Sequence, residues 1–343
     1  MNPKLLILPG MEEMGESILR NLQNDFGNIK AEVNRVDFSD GTSKIQILTG
    51  IRSSKLFILI DPYNYATTYT MRGQCYPMSP DMHMMSLLRT ISAVEDDAEI
   101  IVIMPCLYAG RQHERNARED LITAMVLSIL EDYVKRIITY DIHSKAFDCT
   151  MTKKALYKFP TTKLLLEAYQ HDNPNVNPED MFALGTDEGA LKRARKMASL
   201  IGSGCNFATC SKLRSEVKKG SDGYALDKHE LFGRPELLKG KHVIITDDIL
   251  DSGKSLVDVL KMLQDKGCVT VDLAISFGLF TGGLSKIQNA KDEGLFRNLY
   301  VTNLSYIPPE IKAISWIKVV DASLLISHTM KAMICDESLE SFF

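Results

Sequence analysis

A cluster of acids and small residues follows a strand-like run near residue 250. Residues 242–256 read HVIITDDILDSGKSL. The apolar, β-branched run at 243–245 is typical of a buried strand. Three acids and four turn-forming residues follow it: Asp247, Asp248, Asp251, Ser252, Gly253, Lys254 and Ser255.

The chemistry of this cluster fits a sugar phosphate. In open α/β sheets, ligands bind beyond the carboxyl ends of strands, where helix N-termini also point. Small residues allow backbone N–H groups to close around a phosphate, and the hydroxyls of Ser252 and Ser255 add donors. Asp247 and Asp248 are poor phosphate ligands but good acceptors for vicinal sugar hydroxyls. The stretch therefore predicts a phosphate in the turn and a cis-diol on the acids.

Two other interpretations apply to the same stretch. Gly253-Lys254-Ser255 matches the end of a P-loop, but the other required glycine would fall at Asp248, where a carboxylate would face the triphosphate. That mismatch argues against a P-loop. Asp248 and Asp251 are also common turn and cap residues, and the stretch alone does not decide between this structural role and a sugar-phosphate site.

The bulk composition indicates a globular protein without a nucleic-acid or membrane partner. The 343 residues are enough for two domains, and 45% are hydrophobic and 24% charged. A net charge of −4 gives no basic footprint for nucleic acid, so phosphates would be held by local Lys and Arg. The seven cysteines include no C-x-x-C pair, and no apolar run reaches membrane-spanning length. These features predict a reducing compartment, with the cytoplasm as the default.

Strand-like runs alternate with helical periodicity along the chain, which predicts parallel sheets covered on both faces. Strands are predicted at 4–8, 56–60, 100–104, 137–140, 181–184, 243–245, 270–276 and 299–301. Helices are predicted at 12–22, 82–94, 121–133, 162–170 and 256–263. The stretch 145–160 is the predicted divider between domains. The segments 61–80 and 211–241 lack periodicity and are typical of lids or binding loops.

The opening stretch resembles the phosphoribosyl pyrophosphate (PRPP) loop shared by type I phosphoribosyltransferases and ribose-phosphate pyrophosphokinases. Further stretches resemble the ribose-phosphate pyrophosphokinase (PRPP synthase) family, in that family's order. They are the adenine-binding turn FSDG at 38–41, the Arg-Gln loop PCLYAGRQHERNARE at 105–119, the metal site DIHS at 141–144, and the tail with TN at 302–303, VVDASLLISHTM at 319–330 and a final SFF. The likeness runs from about residue 30 to the C-terminus.

The resemblance implies an α/β fold of two tandem phosphoribosyltransferase-like domains, each a mostly parallel sheet flanked by helices. The N-terminal domain, 1–160, would carry the ATP-binding loops and a metal-binding histidine. The C-terminal domain, 161–343, would carry the ribose 5-phosphate loop and the catalytic lysine loop, with the option that its last segment packs back on the first domain.

The resemblance also assigns residues, each with a physical reason. Phe38 would stack on adenine and Asp40 accept from its amino group, while the donors of Arg111 and Gln112 suit phosphate oxygens. His143 would be a direct or water-mediated partner of Mg²⁺. The full assignment is Phe38, Asp40, Thr42, Arg111 and Gln112 for ATP; His143 and Asp187 for Mg²⁺; Lys212 and Arg214 for catalysis; and Asp247, Asp248, Asp251, Ser252, Gly253, Lys254 and Ser255 for ribose 5-phosphate.

The implied reaction is the Mg²⁺-dependent transfer of diphosphate from ATP to O1 of ribose 5-phosphate, giving PRPP and AMP. The family forms homo-oligomers built from dimers, with a hexamer as one option, in which a neighbouring subunit lends the adenine turn. Two departures concern the nucleotide site, because Thr42 and His113 stand where the family usually has acids. The segments 61–80 and 215–240 are also longer than expected. The sequence leaves the preferred donor and the allosteric control open.

Three rival functions follow from the same residues. A catalytically silent, regulatory family member would have damage to the Lys-Arg pair or the PRPP loop, and both are intact. A phosphoribosyltransferase that consumes PRPP would lack the adenine turn, the Arg-Gln loop and the DIHS site. A plain binding module is the weakest alternative.

Overall fold

The structure, a computed structural model, describes residues 2–94, 97–115, 117–151, 155–202, 206–213 and 228–339. The chain divides into two compact units. Unit 1 combines Met1–Pro160 with Asn303–Pro308 and Asp321–Phe343, and unit 2 combines Thr161–Thr302 with Pro309–Val320. Unit 1 thus includes the last helix of the chain.

Unit 1 is built around a parallel sheet of six strands in the order β10-β9-β8-β5-β1-β2. Its strands are β1 (Asn2–Ile7), β2 (Lys30–Ala31), β3 (Val33–Asp37), β4 (Ser43–Ile47), β5 (Ser54–Leu59), β6 (Thr68–Met71), β7 (Gln74–Pro77), β8 (Ala98–Ile103), β9 (Arg136–Tyr140) and β10 (Ala155–Phe159). Its first three helices are α1 (Glu12–Phe26), α2 (Pro80–Val94) and α3 (Ile122–Tyr133). Every residue of the central strand β5 is buried, as expected when both faces of a sheet are covered.

Two antiparallel hairpins, β3–β4 and β6–β7, stand beside this sheet. The prediction that 61–80 is irregular is wrong in part, because β6–β7 lies within it. Arg72 and Gly73, which join the two strands, both have positive φ (51° and 75°), as a type I′ turn requires. Arg-Gly is not one of the usual I′ dipeptides, so the signal was weak. The predicted divider at 145–160 also contains a strand, β10, which is an edge of the unit 1 sheet.

Unit 2 has a seven-stranded sheet in the order β13-β12-β11-β14-β15-β16-β17, parallel except for the β12–β13 pair. Its strands are β11 (Met181–Gly185), β12 (Phe207–Leu213), β13 (Lys228–Phe232), β14 (His242–Leu250), β15 (Thr270–Gly278), β16 (Leu299–Thr302) and β17 (Ile317–Val320). Its helices are α4 (Thr162–Asp172), α5 (Leu191–Ile201), α6 (Lys254–Leu263), α7 (Ser285–Asp292) and α8 (Pro309–Lys312). The last helix of the chain, α9 (Ser323–Cys335), packs on α1 in unit 1.

The two sheets confirm the predicted fold class of parallel sheets flanked by helices. The predicted irregular segment 211–241 contains β13 and the end of β12, while 214–227 lies outside the described residues. None of the helices in the described part of the chain is long and apolar enough to cross a membrane.

An ion pair between a buried carboxylate and a partly exposed guanidinium holds the amino end of β15. The carboxylate of Asp272 is fully buried and accepts from Arg297 Nε at 3.1 Å and Nη2 at 2.7 Å, and from the backbone N–H of Asn298 at 3.0 Å. A bidentate guanidinium and one amide offset much of the cost of burying this charge. The pair joins β15 to the chain that enters β16.

Replacing Arg297 by Met should lower the free energy of unfolding by about 2 to 3 kcal/mol, since it leaves the buried Asp272 without a cation. Urea denaturation followed by circular dichroism measures this change. Arg195→Met, on the exposed face of α5, is the matched control and should stay within about 0.5 kcal/mol of the parent. Equal effects of the two substitutions would contradict a structural role for the pair.

Candidate active site

The strand order of unit 2 changes direction between β11 and β14. From β11 the chain passes through α5 to β12 on one side, and from β14 it passes through α6 to β15 on the other. Such a switch point opens a crevice beyond the carboxyl ends of the two strands, where open α/β sheets bind ligands. Asp187 follows β11 and the turn 251–253 follows β14, so both lie at this crevice.

The turn is shorter than the sequence suggested. Strand β14 continues to Leu250, whereas it was predicted to end at Ile245, so Asp247 and Asp248 lie in the strand and not beyond it. Asp247 and Asp248 were not predicted to lie in the strand, because Asp is normally depleted in strands. Only Asp251, Ser252 and Gly253 separate β14 from α6, whose first N–H groups point back toward the turn.

Gly253 is the residue that allows this tight connection. Its φ is +71°, a left-handed conformation that favours glycine, and it precedes the first residue of α6. A Cβ added there would lie 2.5 Å from Cδ1 of Ile287 in α7. Backbone conformation and packing therefore both select glycine.

The loop after β15 braces the turn from the other side. Thr281 donates its hydroxyl to the carboxylate of Asp251. Gly282 packs so closely that a Cβ on it would lie 2.8 Å from Cα of Ser252. Neither residue was identified from the sequence, although a Thr-Gly-Gly run after a buried strand is a turn signal that could have marked them.

The two adjacent acids of β14 differ in their partners and in their exposure. Asp247 is half-buried and accepts from the hydroxyl of Thr186 at 2.5 Å. Asp248 is only 3% exposed and pairs with Arg193 of α5 at 3.1 Å. Burial, reinforced by the charge of Asp248, raises the pKa of Asp247. Thr186 and Arg193 were not found from the sequence, since neither belongs to a recognisable motif.

The other predicted residues of unit 2 lie along the same edge. The carboxylate of Asp187 is exposed and accepts from the N–H of Ala190 at 2.9 Å, so it closes a turn before α5 without being the N-cap residue of that helix. Lys212 lies in β12, with its backbone paired to His229 of β13. Arg214 lies outside the described residues.

In unit 1 the predicted adenine turn is the five-residue loop of the β3–β4 hairpin. Phe38 is 46% exposed, so its ring is accessible. The carboxylate of Asp40 accepts from the backbone N–H of Thr42 at 2.9 Å and from its hydroxyl at 2.7 Å. These hydrogen bonds, the backbone one first, lower the pKa of Asp40. Thr42, which stands where the family usually has an acid, thus stabilises an ionised Asp40 and the shape of the turn.

The Arg-Gln loop of unit 1 is anchored just before Arg111. Ala109 has a positive φ of 50°. Its N–H donates to the hydroxyl oxygen of Tyr63 at 3.0 Å, and its carbonyl accepts from Thr123 Oγ1 at 2.7 Å and from the N–H of Gln112 at 2.8 Å. Arg111 and Gln112 are exposed beyond this anchor. The next residue, His113, contacts His143, with ring centroids 5.3 Å apart.

The crevice of unit 1 that corresponds to the sugar-phosphate site of unit 2 is filled by its own side chains. The switch point of the unit 1 sheet lies between β1 and β5. There the side chain of Asn64 is buried and donates to the carbonyl of Gly10 at 2.6 Å, and Thr67 packs against the same glycine. The switch point of unit 2, which carries the acid-and-serine turn, is therefore the better candidate for a sugar phosphate.

The predicted metal residues suit an ion that arrives with its substrate. Within the described ranges, no group of three or more His, Cys, Asp or Glu side chains is arranged to hold a metal ion. Mg²⁺ usually keeps several waters and binds one or two protein groups together with substrate phosphates. Single exposed groups such as His143 and Asp187 fit that mode.

Two models of known protein families match the chain. The family model described as "N-terminal domain of ribose phosphate pyrophosphokinase" matches residues 4–133, and the "Phosphoribosyl transferase domain" model matches 162–294. Together these ranges cover more than half of the chain. The chain belongs to the ribose-phosphate pyrophosphokinase family.

Relatives named ribose-phosphate pyrophosphokinase match most of the chain. The protein of Staphylococcus aureus strain Mu50 is 25% identical over 318 residues, which cover 90% of this chain and 87% of that one. The protein of Aquifex aeolicus strain VF5 is 26% identical over 316 residues, 89% of either chain. The crystal structure of phosphoribosylpyrophosphate synthetase from Mycobacterium smegmatis shares the fold, with a TM-score of 0.79 and 20% identity over 98% of this chain and 100% of that one. These names support a diphosphokinase of nucleotide biosynthesis.

Gly253→Ala should destabilise the protein more than Gly267→Ala. Both glycines have a φ of +71°, but a Cβ on Gly267 would meet only the flexible side chain of Lys239, at 3.4 Å. Left-handed strain alone should cost about 1 kcal/mol at Gly267, and overlap with Ile287 should add about 1 to 3 kcal/mol at Gly253. Urea denaturation of both variants tests this difference, and equal losses would show that Ile287 does not constrain the turn.

Asp247→Asn should stabilise the ligand-free protein at neutral pH. A raised pKa means that the folded state disfavours the ionised form of Asp247. The protonated carboxyl therefore stabilises the folded state fully below its ordinary pKa near 3.8, and this stabilisation is lost as pH rises through the raised pKa. The free energy of unfolding of the parent should therefore fall more steeply than that of the variant between pH 5 and 8. Parallel pH profiles would contradict the assigned shift.

Proposed function

We propose that this protein transfers the β,γ-diphosphoryl group of ATP to O1 of ribose 5-phosphate, giving PRPP and AMP. One observation carries the proposal: a single chain combines the N-terminal pyrophosphokinase domain at 4–133 with an acid-and-serine turn at the open switch point of unit 2. The first belongs to enzymes that handle a diphosphoryl donor, and the second fits a phosphorylated pentose.

Ribose 5-phosphate is assigned to the end of β14 and the start of α6. The 5-phosphate would accept hydrogen bonds from the backbone N–H groups of 252–255 and from the hydroxyls of Ser252 and Ser255. The positive N-terminal end of the α6 dipole would also favour its negative charge. The carboxylate of Asp251, held by Thr281, would shape the turn. A phosphate dianion bound at this turn would replace water as the acceptor for the first backbone N–H groups of α6, which have no partner within the helix.

The two acids of β14 are given different roles. Asp247 would accept from the ribose diol, because its carboxylate is only half-buried, and such a contact would also favour its ionised form. Asp248 is committed to Arg193 and would act through the position of the strand. From the sequence both acids were expected to have the same role, and the division proposed here rests on their different partners and exposure.

ATP is assigned to residues of unit 1. The exposed ring of Phe38 would stack on adenine, and Asp40 and Thr42 would hold the shape of the hairpin loop beneath it. Arg111 and Gln112, on their anchored loop, would donate to the polyphosphate oxygens. Mg²⁺ bound to those oxygens would neutralise charge that develops on the transferred group. The family resemblance assigns His143 of unit 1 and Asp187 of unit 2 to metal binding.

Most of the rate enhancement would come from positioning and charge stabilisation. O1 of ribose 5-phosphate attacks the β-phosphorus, the bond from that phosphorus to the α,β-bridging oxygen breaks, AMP leaves, and the O1 proton passes to solvent. Lys212 and Arg214 would stabilise negative charge on the phosphoryl oxygens in the transition state. The protein would work as a homo-oligomer built from dimers in the cytoplasm, as the family resemblance and the cysteine pattern predict.

One assay tests the reaction. Protein is incubated with ATP, ribose 5-phosphate and Mg²⁺, and AMP and PRPP are both quantified; equal amounts of the two products are expected. Lys212→Ala should lower kcat about a hundredfold with unchanged folding, because one transition-state contact commonly contributes about 3 kcal/mol. Lys239→Ala, at an exposed position of the same unit, is the control and should retain the parent rate.

The rival functions give different product patterns. A catalytically silent regulatory subunit would form no AMP alone but would change the rate of an active synthase. A phosphoribosyltransferase would consume added PRPP in the presence of a nucleobase and release diphosphate. Near-full activity of Lys212→Ala would refute the role assigned to that lysine without refuting the reaction.

A further inference from the structure

The segment 61–80, which is longer than the family resemblance leads one to expect, reaches the predicted adenine turn. Its hairpin β6–β7 ends at Arg72 and Gly73, and this end lies against the turn 38–42 of hairpin β3–β4. The backbone N–H of Arg72 donates to the carbonyl oxygen of Ser39 at 2.9 Å. A hydrogen bond thus joins the tip of one hairpin to the tip of the other.

Met71 makes a second contact between the two hairpins. A Cβ added to Gly41 would lie 2.8 Å from Sδ and 3.2 Å from Cγ of Met71, so the thioether side chain packs directly on this glycine. Gly41 is half-buried, whereas the other four residues of the turn are exposed. The contact is possible because position 41 has no side chain.

The hydrogen bonds within the turn shape it but do not attach it to the rest of unit 1. The N–H of Gly41 donates to the carbonyl of Phe38 at 2.9 Å, and the N–H of Phe38 donates to the carbonyl of Thr42 at 2.8 Å. An exposed loop on a two-stranded hairpin is marginally stable by itself. The contacts with β6–β7 therefore restrict the conformations that the turn can adopt.

Hairpin β6–β7 can support the turn because its own base is anchored in the buried part of unit 1. Just before β6, the buried side chain of Asn64 donates to the carbonyl of Gly10 at 2.6 Å. The carbonyl oxygen of Asn64 lies 2.9 Å from Nε2 of His83, a buried residue of α2. Between base and tip, Tyr69 and Tyr76 lie directly opposite each other with ring centroids 5.7 Å apart, and such cross-strand aromatic pairs stabilise a hairpin.

We propose that Met71 and the backbone N–H of Arg72 are positioning groups for the nucleotide, which hold the turn 38–42 in the conformation that binds ATP. The proposal deepens the proposed function and rests on it for the identity of the nucleotide. A loop that is ordered before binding loses less entropy when its ligand arrives, so its affinity is higher. Adenine is separated from the reacting β-phosphorus by the ribose and the α-phosphate, so this support should change the KM for ATP and not kcat.

Titration calorimetry with a non-hydrolysable ATP analogue and Mg²⁺ tests the proposal. Met71→Ala should weaken binding of the analogue about tenfold, because the loop must then be ordered at the moment of binding. Met71→Leu keeps a side chain of similar volume against Gly41 and should bind within about twofold of the parent. Thr70→Ala is the matched control and should bind as the parent does, since Thr70 is exposed and points to the opposite face of β6.

Gly41→Ala tests the same contact from the turn and leaves the sequence of β6–β7 unchanged. The added Cβ displaces the thioether, so the affinity for the analogue should fall. In the double variant with Met71→Ala the two losses should not add, because both substitutions remove one contact. Fully additive losses would contradict a direct contact between Met71 and the turn.

The assay for AMP and PRPP gives a further readout, in which Met71→Ala should raise the KM for ATP about tenfold and leave kcat within about twofold of the parent. If Met71→Ala loses thermal stability but binds the analogue as the parent does, the hairpin only stabilises unit 1 and the proposal is overturned. Parent protein that binds the analogue with a Met71-dependent affinity but forms no AMP would refute the proposed reaction and leave the support of the turn standing. Parent protein that binds no analogue would refute this proposal together with the nucleotide site.

Discussion

The parallel pairing of β11 with β14 is the constraint on which the rest of unit 2 depends. Met181 pairs with His242 and Gly185 with Thr246, so the two strands run side by side with their carboxyl ends at one edge. Their helices leave in opposite directions, which keeps the crevice between them open. Asp187 and the turn at 251–253, which are more than sixty positions apart in the sequence, meet at that crevice because of this pairing alone.

The crevice combines a disfavoured charge with a rigid surrounding. An acid with a raised pKa reduces stability at neutral pH in the absence of ligand. The ion pair of Arg193 with Asp248 and the close packing of Gly282 on Ser252 hold the end of β14 and the turn in place. Unfavourable groups on a rigid scaffold are typical of binding sites, because a ligand relieves them when it binds. In unit 1 the corresponding switch point is filled by the side chain of Asn64. Arg111 and Gln112, near the edge of that sheet, are exposed hydrogen-bond donors.

Much of the architecture could be predicted from the sequence, since buried parallel strands are continuous apolar runs. The runs at 56–60 and 100–104 lie within one residue of β5 and β8 at their carboxyl ends. The misses have physical causes. Strand β14 extends through two aspartates because Thr186 and Arg193 lie beside them, and such partners are set by the tertiary fold. Hairpin β6–β7 turns at Arg-Gly, and β10 is a short edge strand, so neither carries a strong local pattern. The predicted roles of Lys212 and Arg214 stay predictions.

Binding of ribose 5-phosphate to the turn at the end of β14 is the central claim, and titration calorimetry measures it most directly. The account predicts heat and saturable binding with ribose 5-phosphate and no detectable binding of unphosphorylated ribose at the same concentrations, because the phosphate is the group that the helix terminus and the serines recognise. Folded protein that shows no heat with ribose 5-phosphate, with or without Mg²⁺ and a non-hydrolysable ATP analogue, would contradict it.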